Sequence, residues 1–267
     1  MADTTWRRAL ITGASSGIGE AMARQLGAGG TDLVLVARTA DRLEAIAAEI
    51  RERNAVAVEV LPADLADPEG LAAVEARVAA DDDPVDLLVN NAGYGFEGRF
   101  GEIPVDDEEA EILVNVVALM RLTHAAVSRL VAAGEVGTVL NVASVAAFSP
   151  AAGSANYSAT KAYVLSFSQS VHEEVAPLGV NVTALCPGLT RTQFQQRGGY
   201  DTAQMPGAFW QSADEVARSG LDAAARGRPV EVTGWHNKVL TTSVRKLPMG
   251  TVRWASSQIA GRMRHDG

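Results

Sequence analysis

Tyr157 and Lys161 stand four residues apart in Tyr157-Ser158-Ala159-Thr160-Lys161, a spacing that puts a phenol and an ammonium on one helix face. A free phenol has a pKa of about 10 and is a proton donor at neutral pH, while a neighbouring ammonium favours the phenolate. The pair can therefore give a proton and take it back. Such pairs also arise by chance on surface helices, so the context matters. Ser144 precedes Tyr157 by 13 residues and closes an apolar run. Near the start of the chain, Thr12-Gly13-Ala14-Ser15-Ser16-Gly17-Ile18-Gly19 follows another apolar run and opens an amphipathic stretch. Glycines let backbone approach a pyrophosphate, and the helix N-terminus behind them offers free N–H groups and partial positive charge. The spacing Gly-x3-Gly-x-Gly departs from the commonest dinucleotide fingerprint. Its position, between a strand and a helix, is what points to phosphate binding.

A second apolar run ends Val34-Leu35-Val36-Ala37-Arg38. A site for NAD usually places an acid here to accept hydrogen bonds from the ribose 2′-hydroxyl. This chain has Ala37 and Arg38, with Arg42 one helical turn on. A guanidinium suits the 2′-phosphate of NADP, although arginine is also an ordinary solvated residue at a helix start. NADP (as NADPH) is the expected cofactor, ahead of NAD.

These residues need a scaffold that gathers strand ends. Arg8–Thr12, Asp32–Ala37, Ala55–Leu61, Asp86–Asn90, Gly137–Ala143 and Val180–Cys186 read as strands rich in Val, Leu and Ile. Most are too apolar for a wet face, which suits parallel strands covered on both sides. Helical stretches lie between them at Gly17–Ala28, Ala40–Arg53, Pro68–Ala80, Asp107–Ala133 and Ala155–Pro177. The alternation predicts an α/β fold, a Rossmann-like doubly wound parallel sheet, in one domain over residues 1–267. Such a sheet binds ligands beyond the carboxyl ends of its strands. The predicted ends carry Gly13, Arg38, Asp64-Leu65, Asn91-Ala92-Gly93, Ser144 and Pro187-Gly188. Each is polar or glycine-bearing, as a nucleotide fold requires.

Composition bounds the alternatives. The 267 residues are 47% hydrophobic and 5% aromatic, with a formal charge of -9. Acidity and few aromatic rings disfavour nucleic acid as a partner. The single cysteine, Cys186, excludes an intrachain disulfide framework and reads as a small core residue in a reducing, cytoplasmic setting. His124, His172, His236 and His265 show no ligand spacing, so no metal is expected. No stretch of about 18 uncharged apolar residues is visible as a membrane span, and no secretory signal is read at the start. The charge is uneven. Residues 236–267 hold six basic groups against Asp266, leaving 17 basic and 31 acidic groups before them.

In order and spacing, the motifs from Thr12 to about Thr192 resemble those of the short-chain dehydrogenase/reductase superfamily, in its single-domain branch. The resemblance implies a catalytic tetrad of Asn115, Ser144, Tyr157 and Lys161. It implies a cofactor turn at Gly13, Ser15, Ser16, Gly17, Ile18 and Gly19, with Arg38 at the 2′-phosphate. Asp64 and Leu65 would meet the adenine, and Asn91, Ala92 and Gly93 the adenosine side, Asn91 also bracing the sheet. Pro187, Gly188, Thr190 and Thr192 would meet the nicotinamide, Thr190 standing where the family usually has Ile or Val. Asn115 could instead be a polar residue that bonds backbone within a kinked helix. Ser16 stands where many NADP-preferring relatives have a basic residue, which leaves Arg38 as the main phosphate contact.

The implied activity is interconversion of a ketone and a secondary alcohol, with Tyr157 as general acid and base and an apolar or acyl-like substrate. A non-catalytic NADP-binding sensor or scaffold on the same fold is the rival, disfavoured because all four tetrad residues are present. Residues 193–212 would form a substrate lid. Its Tyr200, Met205, Phe209 and Trp210 would either face an apolar substrate or pack on the core. Ala146–Ser154 and Tyr94–Phe100 would form the other walls. In the basic tail, 236–267, Val252, Ala255, Ile259 and Met263 recur at helical spacing. Packing on the domain or a partner subunit is preferred there over contact with an anionic membrane surface. Expected partners are a small-molecule substrate and further copies of the chain.

Overall fold

The computed structural model describes residues 6–194, 198, 207–247 and 250. Seven strands form one parallel sheet: β1 Arg8–Thr12, β2 Asp32–Ala37, β3 Val58–Pro62, β4 Leu87–Asn90, β5 Gly137–Val142, β6 Val180–Cys186 and β9 Val230–Val232. Their order is β3-β2-β1-β4-β5-β6-β9. The order reverses between β1 and β4, which opens a crevice beyond their carboxyl ends. Two short strands, β7 Thr190–Arg191 and β8 Gln211–Ser212, pair apart from the main sheet.

Helices cover both faces because the strands are apolar on both. On one side α1 Gly17–Ala28, α2 Ala40–Arg53 and α7 Ala213–Ala225 pack Met22, Leu26, Leu43, Ile46 and Val216 against Ile11, Leu33 and Leu35. On the other, α3 Pro68–Ala79 and α5 Leu119–Ala133 pack Leu71, Val74, Leu122 and Leu130 against Leu10, Val34 and Leu88. A side chain of this size that is fully buried contributes about 1.5–3 kcal/mol. α6 Ala155–Val175 lies along β6 through Val164 and Leu165, and α8 Trp235–Lys246 follows β9.

The predicted strands and helices form, with informative differences. β3 starts at Val58 rather than Ala55, because the Ala57 N–H is taken by the Asp32 carboxylate before the ladder begins. β4 starts after Asp86, whose carboxylate instead accepts from the Arg7 and Arg8 N–H groups. The helix predicted from Asp107 begins at Val105 and is not uniform. α4 Val105–Ile112 passes into a π-helical turn, Leu113–Ala118, before α5. Part of this continuous run is apolar enough in composition to cross a membrane, an 18-residue window of it reaching a mean hydropathy of 1.5. Here it lies on the sheet, burying Leu119, Leu122, Ala126 and Leu130.

The seventh strand was not expected. β9 has three residues with Glu231 at its centre, so it carries no apolar run. The buried Glu231 is satisfied by Ser219 and Lys238 at 3.1 and 2.9 Å. Beyond β9, α8 leaves Trp235, Val239 and Leu240 exposed. The apolar stripe expected at Val252, Ala255, Ile259 and Met263 lies outside the described residues, as do Tyr200 and Met205 of the expected lid.

Candidate active site

The crevice is built first by glycine. The turn after β1 requires positive φ at Gly13 (+66°) and Gly17 (+59°), where a side chain would be strained. Space forbids one as well. A Cβ on Gly13 would lie 2.8 Å from Asn91 Nδ2, and one on Gly17 would lie 2.9 Å from Thr192 Cγ2. The backbone surface is therefore bare where a phosphate would approach. Ser16 caps α1 without a side-chain hydrogen bond, which leaves the first-turn N–H groups directed outward. These features fit a dinucleotide pyrophosphate.

Asn91 locks this turn to the sheet. Its Nδ2 donates to the Thr12 and Gly13 carbonyls at 2.9 and 3.2 Å, while Thr12 Oγ1 accepts from the Asn91 and Ala92 N–H groups. At the far edge the two arginines separate in role. Arg42 is engaged, pairing with both Glu20 oxygens at 3.2 and 3.0 Å and reaching the Ser15 carbonyl. Arg38 and Asp64 are both exposed, at the ends of β2 and β3. The Asp64 carboxylate accepts from Ala66 N–H, and Leu65 beside it is buried.

At the other end, Asn115 sits in the π turn and is fully buried. Its Oδ1 accepts from Tyr94 N–H at 3.1 Å, and its Nδ2 donates to the Tyr94 carbonyl at 2.8 Å and Thr160 Oγ1 at 3.2 Å. It thus ties α5, α6 and the loop after β4 together. A Cβ on Gly93 would lie 2.8 Å from Asn115 Oδ1 and 3.2 Å from Lys161 Nζ, which places these two groups side by side. Lys161 is 4% exposed, donates to the Val142 carbonyl at 3.0 Å, and lies 5.8 Å from the Tyr157 ring centroid. Burial pulls its pKa down to about 8, against the opposing pull of Glu111. Burial pushes the Tyr157 phenol up to about 12, against the opposing pull of Ser144 nearby. At neutral pH the site holds a phenol and an ammonium, a proton donor and its charge partner.

Behind Ser144, Val145 N–H donates to the Pro187 carbonyl at 2.9 Å, bringing the ends of β5 and β6 together. Thr190 is buried and donates to the Gly188 carbonyl at 3.0 Å. Asn237 of α8 fills the space beside Gly188. The expected walls meet each other where Gly98 N–H donates to Gly153 O, and the first of them meets the expected lid where Glu97 N–H donates to Gly198 O. The two described aromatics at the far end of the expected lid turn elsewhere. Phe209 meets His236 edge-on, and Trp210 lies under Arg191. Phe194 instead stands against Tyr157, with centroids 5.4 Å apart.

The family model for short chain dehydrogenases matches residues 7–202. The chain belongs to the short-chain dehydrogenase family. It is thereby an oxidoreductase. A short-chain dehydrogenase from Sphingobium yanoikuyae in complex with NADPH is 38% identical, covering 96% of this chain and 93% of that one, at a TM-score of 0.81. The bulky-bulky ketone specific alcohol dehydrogenase from Comamonas testosteroni is 32% identical over 91% and 93%, at 0.78. Among curated proteins, sulfoacetaldehyde reductase of Chromohalobacter salexigens is 37% identical over 185 residues, 69% of this chain and 72% of that protein.

For this family member, the structure gathers Gly13, Gly17, Gly19, Asn91, Ala92 and Thr192 around one turn, and Gly93, Asn115, Ser144, Tyr157 and Lys161 around one corner. It leaves Arg38 and Asp64 apart on the exposed edge. Sequence reasoning passed over Thr160, which accepts from Asn115, and Gly95, where a Cβ would run into the Tyr157 ring. It also passed over Glu111, four residues before Asn115 and so on the same helix face. An acid set apart by Ala110 from the run Asp106–Glu109, just ahead of Ile112, Leu113 and Val114, was the available signal.

Proposed function

We propose that this protein interconverts a ketone and a secondary alcohol using NADP(H), with Tyr157 as the proton donor and acceptor. The observation that carries the reading is the corner where the Tyr157 ring stands 5.8 Å from the Nζ of buried Lys161. The glycine turn and outward N–H groups of α1 would hold the pyrophosphate. Arg38, exposed while Arg42 is bound to Glu20, would take the 2′-phosphate. When bound, the cofactor supplies or accepts the hydride.

The chain's own residues handle the proton and the geometry. Ser144 Oγ accepts from Ala146 N–H at 3.1 Å, which orients it to donate to a carbonyl oxygen. Tyr157 starts as a phenol and gives its proton to the developing alkoxide. Lys161 as an ammonium stabilises the phenolate left behind. Asn115, through its bonds to Tyr94 and Thr160, fixes the helix that carries Tyr157 and Lys161. Phe194 against Tyr157, with the 94–100 and 146–154 walls, favours an apolar or acyl-like substrate.

Residues 1–267 would act as one domain, with 193–212 as lid and 236–267 as an appended tail packing within the chain or on another copy. Cytoplasmic residence fits the single buried Cys186. Assembly with further copies fits Tyr163, exposed on α6 and stacked on the half-buried Phe167. The test is a spectrophotometric NADPH and NADH assay over ketone and alcohol panels, with Tyr157→Phe as control. NADPH-linked ketone reduction that disappears in the control is expected. Activity with NADH alone, or an undiminished control, would overturn the reading.

A further inference from the structure

The turn that leaves β6 is gripped by three separate segments, and the proton chemistry above does not call for that. Each carbonyl from Cys186 to Leu189 accepts a hydrogen bond. Cys186 O accepts from Thr233 N–H at 3.2 Å, Pro187 O from Val145 N–H at 2.9 Å, and Leu189 O from Gln211 N–H at 2.9 Å. Gly188 O accepts from Thr190 Oγ1 at 3.0 Å. Two of these holders are joined to each other, since Thr233 Oγ1 donates to Gln211 Oε1 at 2.6 Å. Asn237 completes the set from α8. Its Nδ2 donates to the Thr233 carbonyl at 2.8 Å. A Cβ on Gly188 would lie 2.8 Å from Asn237 Cγ and 2.9 Å from its Oδ1, so the two residues are in tight contact. Thr233 is fully buried, and Thr190 and Asn237 nearly so. Apolar side chains would fill this space without needing partners. A buried polar network whose members bond one another fixes a single geometry instead.

We propose that Asn237, Thr233 and Gln211 are positioning residues for hydride transfer, a brace that fixes the Pro187–Thr190 turn against the nicotinamide end of the cofactor. This rests on the functional reading above, with that turn at the nicotinamide. Transfer between two carbons is steep in distance, and a misplacement of about 1 Å can cost about a hundredfold. Cofactor affinity is set mainly at the other end, by the α1 N-terminus and Arg38, so the brace acts on the reaction more than on binding. Gln211 also pairs with Thr190 across β7 and β8, which gives the nicotinamide turn and the far end of the expected lid one anchor. The start of α8 thereby serves the site as well as following the sheet.

Asn237→Ala, Gly188→Ala and the two together test this. In cofactor-free protein the new Cβ at 188 should collide with Asn237 and lower the urea midpoint. Asn237→Ala removes the collision, so the double variant should be more stable than Gly188→Ala alone. Losses that simply add in the double variant would refute the contact. Binding is the second readout. Asn237→Ala should bind 2′-phospho-ADP-ribose, which lacks the nicotinamide, as wild type does, while the gain in nicotinamide fluorescence on NADPH binding shrinks. In turnover, kcat should fall about tenfold, inside the range that misplacement can cost. KM for NADPH should stay unchanged, and the isotope effect with deuterated NADPH should grow. If Asn237→Ala does not fold, Thr233→Val, which keeps the shape and loses the bond to Gln211, carries the same expectations. Unchanged kcat and nicotinamide fluorescence would overturn the proposal, and so would an equal loss of both ligands. Absence of turnover in wild type would sink the functional reading instead, and leave the urea midpoints and the fluorescence to decide the brace.

Discussion

The two ends of the crevice are built on opposite terms. At the Tyr157 end, Asn115 is fully buried, Lys161 nearly so, and both are held by backbone carbonyls. At the adenosine end, Arg38 and Asp64 are exposed on strand termini. Proton transfer needs a low-dielectric place where charges interact strongly and geometry is fixed. Choosing between a phosphate and a hydroxyl needs only a correctly signed charge within reach. The buried end should therefore tolerate little change, and the exposed end should be exchangeable.

Tyr157→Phe should show the largest effect. Turnover should fall on the order of a thousandfold, within the usual worth of a general acid, while fluorescence titration shows NADPH binding little changed. Turnover near wild type would remove Tyr157 from the chemistry and the contrast with it.

Asn115→Ala comes next. It leaves the Tyr94 N–H, the Tyr94 carbonyl and Thr160 without their partner, which should cost about 2–4 kcal/mol of stability. Urea unfolding measures this, and a cost below about 0.5 kcal/mol would mean the buried end is not held as described.

Arg38→Asp should weaken NADPH about 10- to 100-fold, the range for losing charge-assisted hydrogen bonds, and spare or improve NADH. Stability should barely move, because Arg38 is exposed. An unchanged cofactor preference would make Arg38 a plain surface residue.

The smallest effect is one of pH. Glu111 is raised from 4.5 to about 7, so the folded state binds the extra proton between those values. Its contribution is complete below pH 4.5 and lost as pH rises through 7. Glu111→Gln should therefore gain stability over wild type across that window, by roughly 1–3 kcal/mol at pH 8. Lost attraction for Lys161 trims the gain. Equal urea midpoints for both proteins at pH 4.5 and pH 8 would show that Glu111 carries no such cost.

The same contrast bears on what could be read without coordinates. β1, α1, β2, α2 and β6 have the bounds expected of them. Local apolar runs and glycine punctuation decide such elements. The glycine turn, Ser144 and the Tyr157–Lys161 pair were legible for the same reason. β9 was not, because a three-residue strand centred on Glu231 depends on side chains outside it, Ser219, Arg228 and Lys238. The lid aromatics were undecided, and Phe209 and Trp210 found His236 and Arg191.

By itself, the sequence determined the alternation of strand and helix, the phosphate-binding turn, and the phenol and ammonium on one helix face. Each is set within a few residues by periodicity or backbone freedom. Tertiary structure alone decided three further things. It bound Arg42 to Glu20 and left Arg38 exposed, fixed Asn115 in its π turn through bonds to Tyr94 and Thr160, and buried Glu111 with Oε1 unpartnered. Burial and charge depend on which segments meet in space, and segments far apart in the chain meet only once the sheet has formed.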